Sequence, residues 1–554
     1  MTTAVLTGIG VSAGSAAGEV ARMAPAPALP EARALTEADV PAEVAAARGA
    51  LGQVAEDLER RAGAVTGDAA DVLSAQSMMV ADPALGDQVE ARIRSGADGA
   101  HAIAAAFGEF RAALEQAGGY FAERVADLDD LRDRSVASLL GLPMPGLPDP
   151  GRPYVLVAAD LAPADTALLD PSQALALVTE RGGPTSHTAI LAKTLGLPAV
   201  VACDGAGTLT DGRPVLVDGA AGAVHVDPPP HAVTEAAERE QERRRLAESV
   251  SGPGRTADGH PVKLLVNLGA SNELPAAAAA DSEGVGLFRT EFLYLDRAQA
   301  PSAAEQVAAY REVFTAFAGR GVVVRTLDAG ADKPLPFATA ADEQNPALGV
   351  RGLRTATRDP ELLRTQLAAI AEAAADSGAE VRVMAPMVSV PREAAAFAEQ
   401  VRAHGLRAAG AMVEVPAAAL RAGELAQVCD FLSIGTNDLA QYAFAADRTL
   451  GELAEFLDPW QPALLDLVRM AADAGARHGR PVGVCGESAA DPALALVLVG
   501  LGVSSLSAAP SCLSDVRTAL AARTLEDCRV LAGIALSAPD ATSARARVLA
   551  EIAA

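Results

Sequence analysis

The sequence predicts an α/β protein with a C-terminal (β/α)8 barrel and an N-terminal α/β domain that carries an all-helical insertion. Eight short apolar segments alternate with longer helical segments between residues 262 and 506, which is the element count of a closed barrel. Strand-sized segments also recur between residues 154 and 226, whereas residues 31–140 are rich in alanine and poor in strand formers. An open doubly wound sheet is the alternative for the C-terminal half.

Length and composition narrow the class of protein. A chain of 554 residues predicts several domains, because single cores rarely exceed about 250–300 residues. The formal net charge of −26 argues against nucleic acid as a main partner. Five cysteines without C-x-x-C spacing indicate reduced thiols, and the longest apolar stretch is too short to span a bilayer. We therefore expect a cytoplasmic protein with no membrane insertion.

The N-terminal half is predicted to be one α/β domain interrupted by helices. Residues 5–11 and 18–24 could each form a short strand, with Gly8, Gly10 and Gly14 marking turns. These strands have few neighbours of their own, so they could pair with the strands beyond residue 154. Within the helical insertion, Asp82 and Pro83 have the residue types of a helix N-cap and a first helical position. Met78 and Met79 are either core residues or, if exposed, a flexible apolar surface for a partner.

Changes in composition predict the domain borders. The α/β domain takes residues 1–30 and 141–228, the insertion residues 31–140, a linker helix residues 229–255, and the barrel residues 256–554. The highly charged residues 232–250, followed by Ser251 and Gly252, are typical of an exposed linker helix and its end.

The segment around His187 is the first candidate site. Gly182 and Gly183 allow a tight turn. Ser186 and Thr188 place hydroxyl donors on either side of the imidazole. His187 is predicted to lie where this turn meets a helix N-terminus, whose free N–H groups favour an anion. A neutral imidazole is also a nucleophile toward phosphorus. A simple turn with a capping histidine fits the same residues.

Polar residues collect at the predicted ends of the barrel strands, which converge on one face. They are Arg289, Arg325, Glu414, which falls within the fifth predicted strand, Asn437, Asp438, Cys485 and Glu487. Arg448 and Arg351, the latter in the long loop after the third strand, are further arginines. Guanidiniums bind carboxylate and phosphate bidentately, so the arginines suit a small ligand that bears both. Two carboxylates suit Mg²⁺ when substrate and water complete its coordination. Ordinary ion pairs at a barrel rim are the alternative.

Cys485 follows the seventh predicted strand, in Val484-Cys485-Gly486. A buried thiol is inert by default. At a strand end it could instead give or take a proton, because the reference pKa of a thiol is about 8.5.

Seven motifs together resemble the enzyme I family of the bacterial phosphoenolpyruvate:sugar phosphotransferase system, over nearly the whole chain. They are Gly182-Gly183-Pro184-Thr185-Ser186-His187-Thr188-Ala189-Ile190, Gly286-Leu287-Phe288-Arg289-Thr290-Glu291-Phe292, Val324-Arg325-Thr326-Leu327-Asp328, Glu343-Gln344-Asn345-Pro346-Ala347-Leu348-Gly349-Val350-Arg351, Met412-Val413-Glu414-Val415-Pro416-Ala417, Ser433-Ile434-Gly435-Thr436-Asn437-Asp438-Leu439 and Val484-Cys485-Gly486-Glu487. The resemblance implies a TIM barrel and a phosphohistidine swivel domain.

The resemblance also implies a set of roles. Phosphoenolpyruvate would bind in the barrel with Mg²⁺ on Glu414 and Asp438. Its phosphate and carboxylate would be held by Arg289, Arg325, Arg351, Arg448 and the Asn437 region, including Asp438. His187 would take the phosphoryl group, and Cys485 would protonate the enolate to give pyruvate.

The same resemblance implies the partners. The domain with His187 would then swing about the linker and phosphorylate the small carrier protein HPr, docked on the helical insertion. The chain would form a homodimer through the barrel. In the docking helix the family often has a histidine where this chain has Gln76.

Two rival readings remain at this point. A pyruvate, phosphate dikinase or phosphoenolpyruvate synthase would require an ATP-binding domain, and no P-loop precedes His187. A non-catalytic sensor of phosphorylation would be expected to have lost Cys485, an arginine or a metal ligand, and all are present.

Overall fold

The computed structural model describes residues 4–554 except 24–25, 64–67, 118–124, 143–144, 149, 162–168, 184–186, 270, 296, 298, 330–334, 340–342, 344 and 449. The side chains of residues 68–72, 113–117, 125–127, 187, 190, 194, 244, 247–248, 271, 451–452 and 487 are likewise outside the description.

An eight-stranded sheet forms in the N-terminal half from strands on both sides of a helical segment. The strands are β1 Ala4–Thr7, β2 Ile9–Ser12, β3 Ser15–Arg22, β4 Tyr154–Ala158, β5 Ala174–Thr179, β6 Ala199–Val201, β7 Pro214–Asp218 and β8 Ala223–Val226. Their order is β1-β8-β7-β3-β4-β5-β6-β2, with β3 to β6 parallel. The early strands therefore pair with the later ones, as the sequence predicts.

The segment expected to form one short strand over residues 5–11 forms two, β1 and β2, and the chain breaks at Gly8, one of the glycines expected to mark a turn. A Cβ at Gly8 would lie 2.6 Å from the carbonyl oxygen of Val201. The Gly8 N–H donates to the Gly222 carbonyl over 2.9 Å. Close backbone contact at this glycine lets the chain cross from one sheet edge to the other.

In the described parts of the segment between β3 and β4, five helices form. They are α1 Val40–Ala62, α2 Asp68–Val80, α3 Pro83–Arg94, α4 Gly99–Ala117 and α5 Val125–Leu140. The predicted N-cap is confirmed, since the Asp82 carboxylate accepts the Ala84 N–H over 2.8 Å. Met79 packs on the helical core, but Met78 is 69 % exposed, so the core interpretation is wrong for Met78.

Helix α6, His187–Leu195, lies between β5 and β6. Helix α7, Pro230–Ser249, follows β8 and leads to the barrel. Helix α7 lies within residues 229–255, which the sequence suggests as a linker, and contacts both halves. Its Glu240 carboxylate accepts the Ser15 N–H over 3.4 Å, and its Arg243 pairs with Asp515 over 2.5 Å.

Eight parallel strands close into a barrel in the C-terminal half, which confirms the predicted fold and excludes the open sheet. The strands are β9 Lys263–Leu268, β10 Gly284–Arg289, β11 Gly321–Arg325, β12 Glu380–Ala385, β13 Ala409–Val413, β14 Phe431–Ile434, β15 Val482–Val484 and β16 Ser505–Ala508. The barrel interior holds an apolar cluster that includes Leu287, Met412 and Phe431. These side chains fill the interior beneath the carboxyl ends of the strands.

The helices of this half cover the barrel and bury the outer faces of its strands. They are α8 Leu274–Ala279, α9 Ala303–Ala316, α10 Pro360–Ala375, α11 Pro391–Ala403, α12 Pro416–Leu420, α13 Ala422–Val428, α14 Thr436–Phe444, α15 Pro462–His478, α16 Pro492–Gly500, α17 Leu513–Ala521, α18 Leu525–Leu536 and α19 Ala541–Ala553. Among the described residues, no helix has the length and apolar character needed to cross a bilayer.

Candidate active site

Two arginines end neighbouring barrel strands at the same level. Arg289 is the last residue of β10 and Arg325 the last of β11, and the two are cross-strand partners. Side chains of paired residues in parallel strands point to the same side. Both guanidiniums are therefore delivered to the carboxyl end of the barrel, where ligands bind.

Arg325 lies between two carboxylates. Its Nη2 is 3.1 Å from Glu291 Oε1, and its Nη1 is 3.7 Å from Asp328 Oδ2. In the described part of the chain, Arg325 Nε and Glu291 Oε2 are buried without a hydrogen-bond partner. A buried donor without a partner is costly, so Arg325 has capacity left for an anionic ligand.

Arg351 links the third and sixth strand ends. It binds Asp328 through Nη2 at 2.7 Å and Nε at 3.3 Å. Its Nη1 donates to Asp438 Oδ1 and to Tyr442 Oη, each over 3.1 Å. Although burial opposes it, the guanidiniums of Arg351 and Arg325 hold the pKa of Asp328 below its ordinary value. Asp328 therefore stays ionised between two arginines.

Asp438 lies in the first turn of α14, which begins two residues earlier. Its second carboxylate oxygen faces Arg448, whose Nη1 is 3.4 Å away. Asn437, next to it, is half-buried at the same helix start. The helix thus brings the predicted residues Asn437 and Asp438 to the strand ends beside Arg351 and Arg448.

Glu414 is 1 % exposed and directly follows β13, not within it as the sequence suggests. Its Oε1 accepts the Met387 N–H over 2.5 Å. A Cβ at Gly435 would lie 2.9 Å from Oε2, so the glycine makes room for this carboxylate. Burial, followed by the carboxylates of Asp438 and Asp328, raises the pKa of Glu414 to about 8.

The repulsion between the carboxylates of Glu414, Asp438 and Asp328 would favour binding of a metal cation among them. Within the described residues, no group of three or more His, Cys, Asp or Glu side chains could hold one. With Glu414 and Asp438 as the two expected ligands, a bound ligand and water would have to complete the coordination. That is how Mg²⁺ binds where substrate phosphate is present. Burial and then repulsion from Asp438 and Asp328 raise the pKa of Glu414, and a cation beside it would offset that repulsion, so the residues fit a divalent cation.

Cys485 follows β15 and caps the apolar interior of the barrel at 2 % exposure. Ser433 Oγ donates to its Sγ over 3.3 Å, and Sγ lies 3.5 Å from the Ile434 carbonyl. Burial raises the pKa of the Cys485 thiol, although Ser433 and Arg325 oppose the shift. The group is therefore a thiol at neutral pH and can donate a proton. The side chain of Glu487 lies outside the described residues.

The segment around His187 is only partly described. Gly182 has φ of 96°, which the predicted tight turn requires, and helix α6 begins at His187. The predicted donor Ser186 and the imidazole itself are outside the described atoms. Thr188 is buried, and its hydroxyl donates to Asp160 over 3.4 Å. In this arrangement its hydroxyl is used within the domain, contrary to its predicted part in holding an anion.

The turn before His187 lies against the barrel. A Cβ at Gly183 would be 2.9 Å from the Cβ of Ala454. Ala454 belongs to a short 3₁₀ helix, Gly451–Leu457, that follows Arg448 in the chain. The start of α6 is therefore seated beside the barrel end that holds the arginines and carboxylates.

Several site residues were missed as separate candidates, although two lie within the quoted motifs. Glu291 and Asp328 are acidic residues just after strands, and this position could have identified them as candidate site residues. Met387 has φ of 58° and directs its N–H at Glu414. A strained backbone next to a buried carboxylate is typical of a functional site, but no sequence pattern marks it.

This geometry coincides with matches to known families. Residues 243–525 match the family described as PEP-utilising enzyme, PEP-binding domain. Residues 150–222 match its mobile domain, and residues 7–124 match its N-terminal part. A protein of Streptomyces coelicolor named phosphoenolpyruvate-protein phosphotransferase is 54 % identical over 542 residues, covering 98 % of each chain. The chain belongs to the phosphoenolpyruvate-protein phosphotransferase family.

More distant relatives in this family also match along most of their length. The phosphoenolpyruvate-protein phosphotransferase of Haloferax volcanii is 40 % identical over 97 % of this chain and 98 % of its own. That of Bacillus subtilis is 35 % identical over 93 % of both chains. The resemblance to enzyme I is thereby confirmed. The barrel residues described above lie in the segment matched to the PEP-binding domain, and His187 lies in the segment matched to the mobile domain.

Proposed function

We propose that the protein transfers the phosphoryl group of phosphoenolpyruvate to His187 and then to a histidine of HPr, releasing pyruvate. This is the first step of the sugar phosphotransferase system. One observation carries the proposal. Arg289, Arg325, Arg351 and Arg448 converge with Glu414 and Asp438 at the barrel end on which the turn before His187 rests. Relatives along the whole chain carry the corresponding name.

Substrate binding follows from the charges. Phosphoenolpyruvate carries a phosphate and a carboxylate close together, and guanidiniums bind both groups in fixed geometry. Arg289 and Arg325 act from adjacent strands, while Arg351 and Arg448 are oriented by Asp438. Asn437 offers an amide at the same place. Positioning and charge neutralisation are the main contributions that a protein makes to phosphoryl transfer.

Glu414 and Asp438 would hold a divalent cation, for which we propose Mg²⁺. Bound there, the ion would supply positive charge to the phosphate oxygens. Asp438 also keeps its contacts with Arg351 and Arg448. Asp438 would thus serve metal and arginine together.

In the transfer, a ring nitrogen of His187 forms a bond to phosphorus while the bond from phosphorus to the enol oxygen breaks. The enolate left behind takes a proton on its methylene carbon from Cys485, which gives pyruvate. The raised pKa of this thiol keeps the proton available at neutral pH. Ser433 Oγ then donates to the thiolate until solvent returns the proton.

The second transfer requires His187 to reach a different surface. HPr would dock on the helical insertion, where Met78 is exposed and Gln76 is only 3 % exposed. Gln76 is therefore no direct contact, and Met78 is the better candidate. Helix α7, which contacts both halves, is the proposed swivel. A homodimer through the barrel remains a prediction, as does a cytoplasmic location, which the free cysteines support.

The test uses phosphoenolpyruvate labelled on phosphorus, with Mg²⁺, and the wild-type, His187→Ala and His231→Ala proteins. His231 is exposed on α7 and serves as the control histidine. We expect an acid-labile, base-stable label on wild type and His231→Ala only, with pyruvate released. Label that depends on ATP would favour a dikinase, and label on His187→Ala would refute the role of His187.

A further inference from the structure

A buried hydrogen-bond network lies behind the two strand ends that carry Arg289 and Arg325. Its central member is Gln366, on α10, which is 1 % exposed. Neither Gln366 nor its partners in this network would touch substrate in the proposed mechanism. The network therefore needs an explanation of its own.

The Gln366 amide joins both strand ends. Its Oε1 accepts the Leu327 N–H over 2.9 Å, two residues beyond Arg325. Its Nε2 donates to Thr290 Oγ1 over 3.0 Å, immediately after Arg289. Thr290 Oγ1 in turn donates to the Arg325 carbonyl over 3.0 Å. One side chain thus ties together the residues that follow two neighbouring guanidiniums.

The amide group is fully used in this arrangement. The second Nε2 hydrogen goes to Tyr310 Oη, over 3.0 Å. Every donor of the amide therefore has a partner, which fixes its orientation. Thr290 is completely buried, so water does not compete for these bonds. Such a satisfied network holds the groups attached to it in one geometry.

We propose that Gln366 is a positioning residue for phosphoenolpyruvate, because it fixes the spacing between the Arg289 and Arg325 guanidiniums. The inference rests on the proposed function and adds a residue to it. Two guanidiniums bind a ligand that carries phosphate and carboxylate only when their separation matches the ligand. A displacement near 1 Å is enough to lower binding or rate by about 10²-fold.

The same network supplies a matched control in Gln306, on α9, which is 2 % exposed. Gln306 accepts from Tyr294 over 2.9 Å and from Tyr310 over 3.3 Å. Its Nε2 donates to the Pro301 carbonyl over 3.0 Å. These bonds reach neither strand end. Loss of the Gln306 amide should therefore perturb stability without moving the arginines.

The experiment compares Gln366→Met with Gln306→Met, each of which removes a buried amide at similar volume. Thermal unfolding of both variants should shift to lower temperature. In a His187→Ala background, which prevents turnover, calorimetry with phosphoenolpyruvate and Mg²⁺ gives the Kd. We expect Kd to rise about tenfold for Gln366→Met and to stay within about twofold of the His187→Ala parent for Gln306→Met. With His187 present, KM should rise in Gln366→Met while kcat changes much less.

Thr290→Val provides a milder second variant should Gln366→Met fold poorly. It removes the same link to β10, so its effect on Kd should not add to that of Gln366→Met. Binding by Gln366→Met or Thr290→Val as tight as that of the His187→Ala parent would overturn the inference alone. So would an equal loss of affinity in Gln306→Met. Absence of label and binding in protein with His187 intact would overturn the proposed function, and the inference with it.

Discussion

The contact between Gly183 and Ala454 gives a direct test of how the His187 segment meets the barrel. We predict that Gly183→Ala slows the transfer from phosphoenolpyruvate to His187. Gly183 is not among the glycines with positive φ, so alanine is compatible with its backbone. The effect of the substitution should come from the added methyl group.

The size of the effect follows from the distance. The new Cβ would lie 2.9 Å from Ala454 Cβ, whereas carbon atoms prefer about 3.5–4.0 Å. Overpacking of this kind costs about 1–3 kcal/mol. The added methyl group destabilises only the arrangement in which the turn before His187 contacts Ala454. The population of this arrangement relative to others should therefore fall about 5- to 150-fold.

The assay separates the two half-reactions. Rapid-quench measurement of label transfer from phosphoenolpyruvate should show a rate at least about fivefold lower in Gly183→Ala. Phosphorylation of the same variant by phospho-HPr does not need the barrel and should proceed at the wild-type rate. The Tm of Gly183→Ala should equal that of wild type, because the turn before His187 can move away from Ala454 without unfolding.

A compensating substitution completes the test. Ala454→Gly removes the methyl group that the new Cβ meets, and the nearest remaining atom, Ala454 Cα, is 3.7 Å away. The double variant should recover most of the rate. Failure of Ala454→Gly to restore the rate, or an equal slowing of both half-reactions in Gly183→Ala, would refute the proposed seating.

Three further predictions concern the barrel end and the linker. Asp328→Ala should destabilise the barrel by about 3–5 kcal/mol in denaturant titration, because it leaves a buried Arg351 without its main partner. The same variant should have a higher KM for phosphoenolpyruvate. A variant with the Tm and KM of the wild type would contradict this prediction. Cys485→Ser should bind phosphoenolpyruvate normally but release pyruvate about 10²- to 10⁴-fold more slowly. Because the pKa of the Cys485 thiol is raised, pyruvate release by the wild type should not decline between about pH 7 and 8.5. A decline in that pH window would count against Cys485 as the proton donor. Arg243→Met should slow only the phosphoenolpyruvate half-reaction, by about two- to fivefold, because the half-exposed ion pair with Asp515 is worth about 1 kcal/mol. Equal rates of label transfer from phosphoenolpyruvate in variant and wild type would disprove a role for this ion pair.

The barrel could be predicted because its strands are short, apolar and evenly spaced by helices. Buried parallel strands leave this continuous apolar signal in sequence. The residues at which strands end are harder to predict. Glu414 is an example, since it lies just past β13 and not within it. Gly8 is recognisable in sequence as a turn residue, but the crossing between sheet edges that occurs there depends on close contact with Val201, far away in sequence.

The candidate site could be predicted only by residue type and position. Arginines and carboxylates at strand ends are visible in sequence, and the fold brings them together. The links among them are not visible. The φ of 58° at Met387, the position of Asp328 between Arg351 and Arg325, and the two bonds from Gln366 to the strand ends all depend on tertiary packing. Exposure of Met78 depends likewise on how the helices pack.

The most direct test of the central claim is a single-turnover measurement that counts both products on the same sample. Protein is mixed with labelled phosphoenolpyruvate and Mg²⁺, quenched, and assayed for pyruvate and for phosphorylated peptides. We expect pyruvate and phosphohistidine to form at the same rate in a one-to-one ratio, with the phosphoryl group on His187. Pyruvate formed without phosphohistidine, or the phosphoryl group on another residue, would contradict the account.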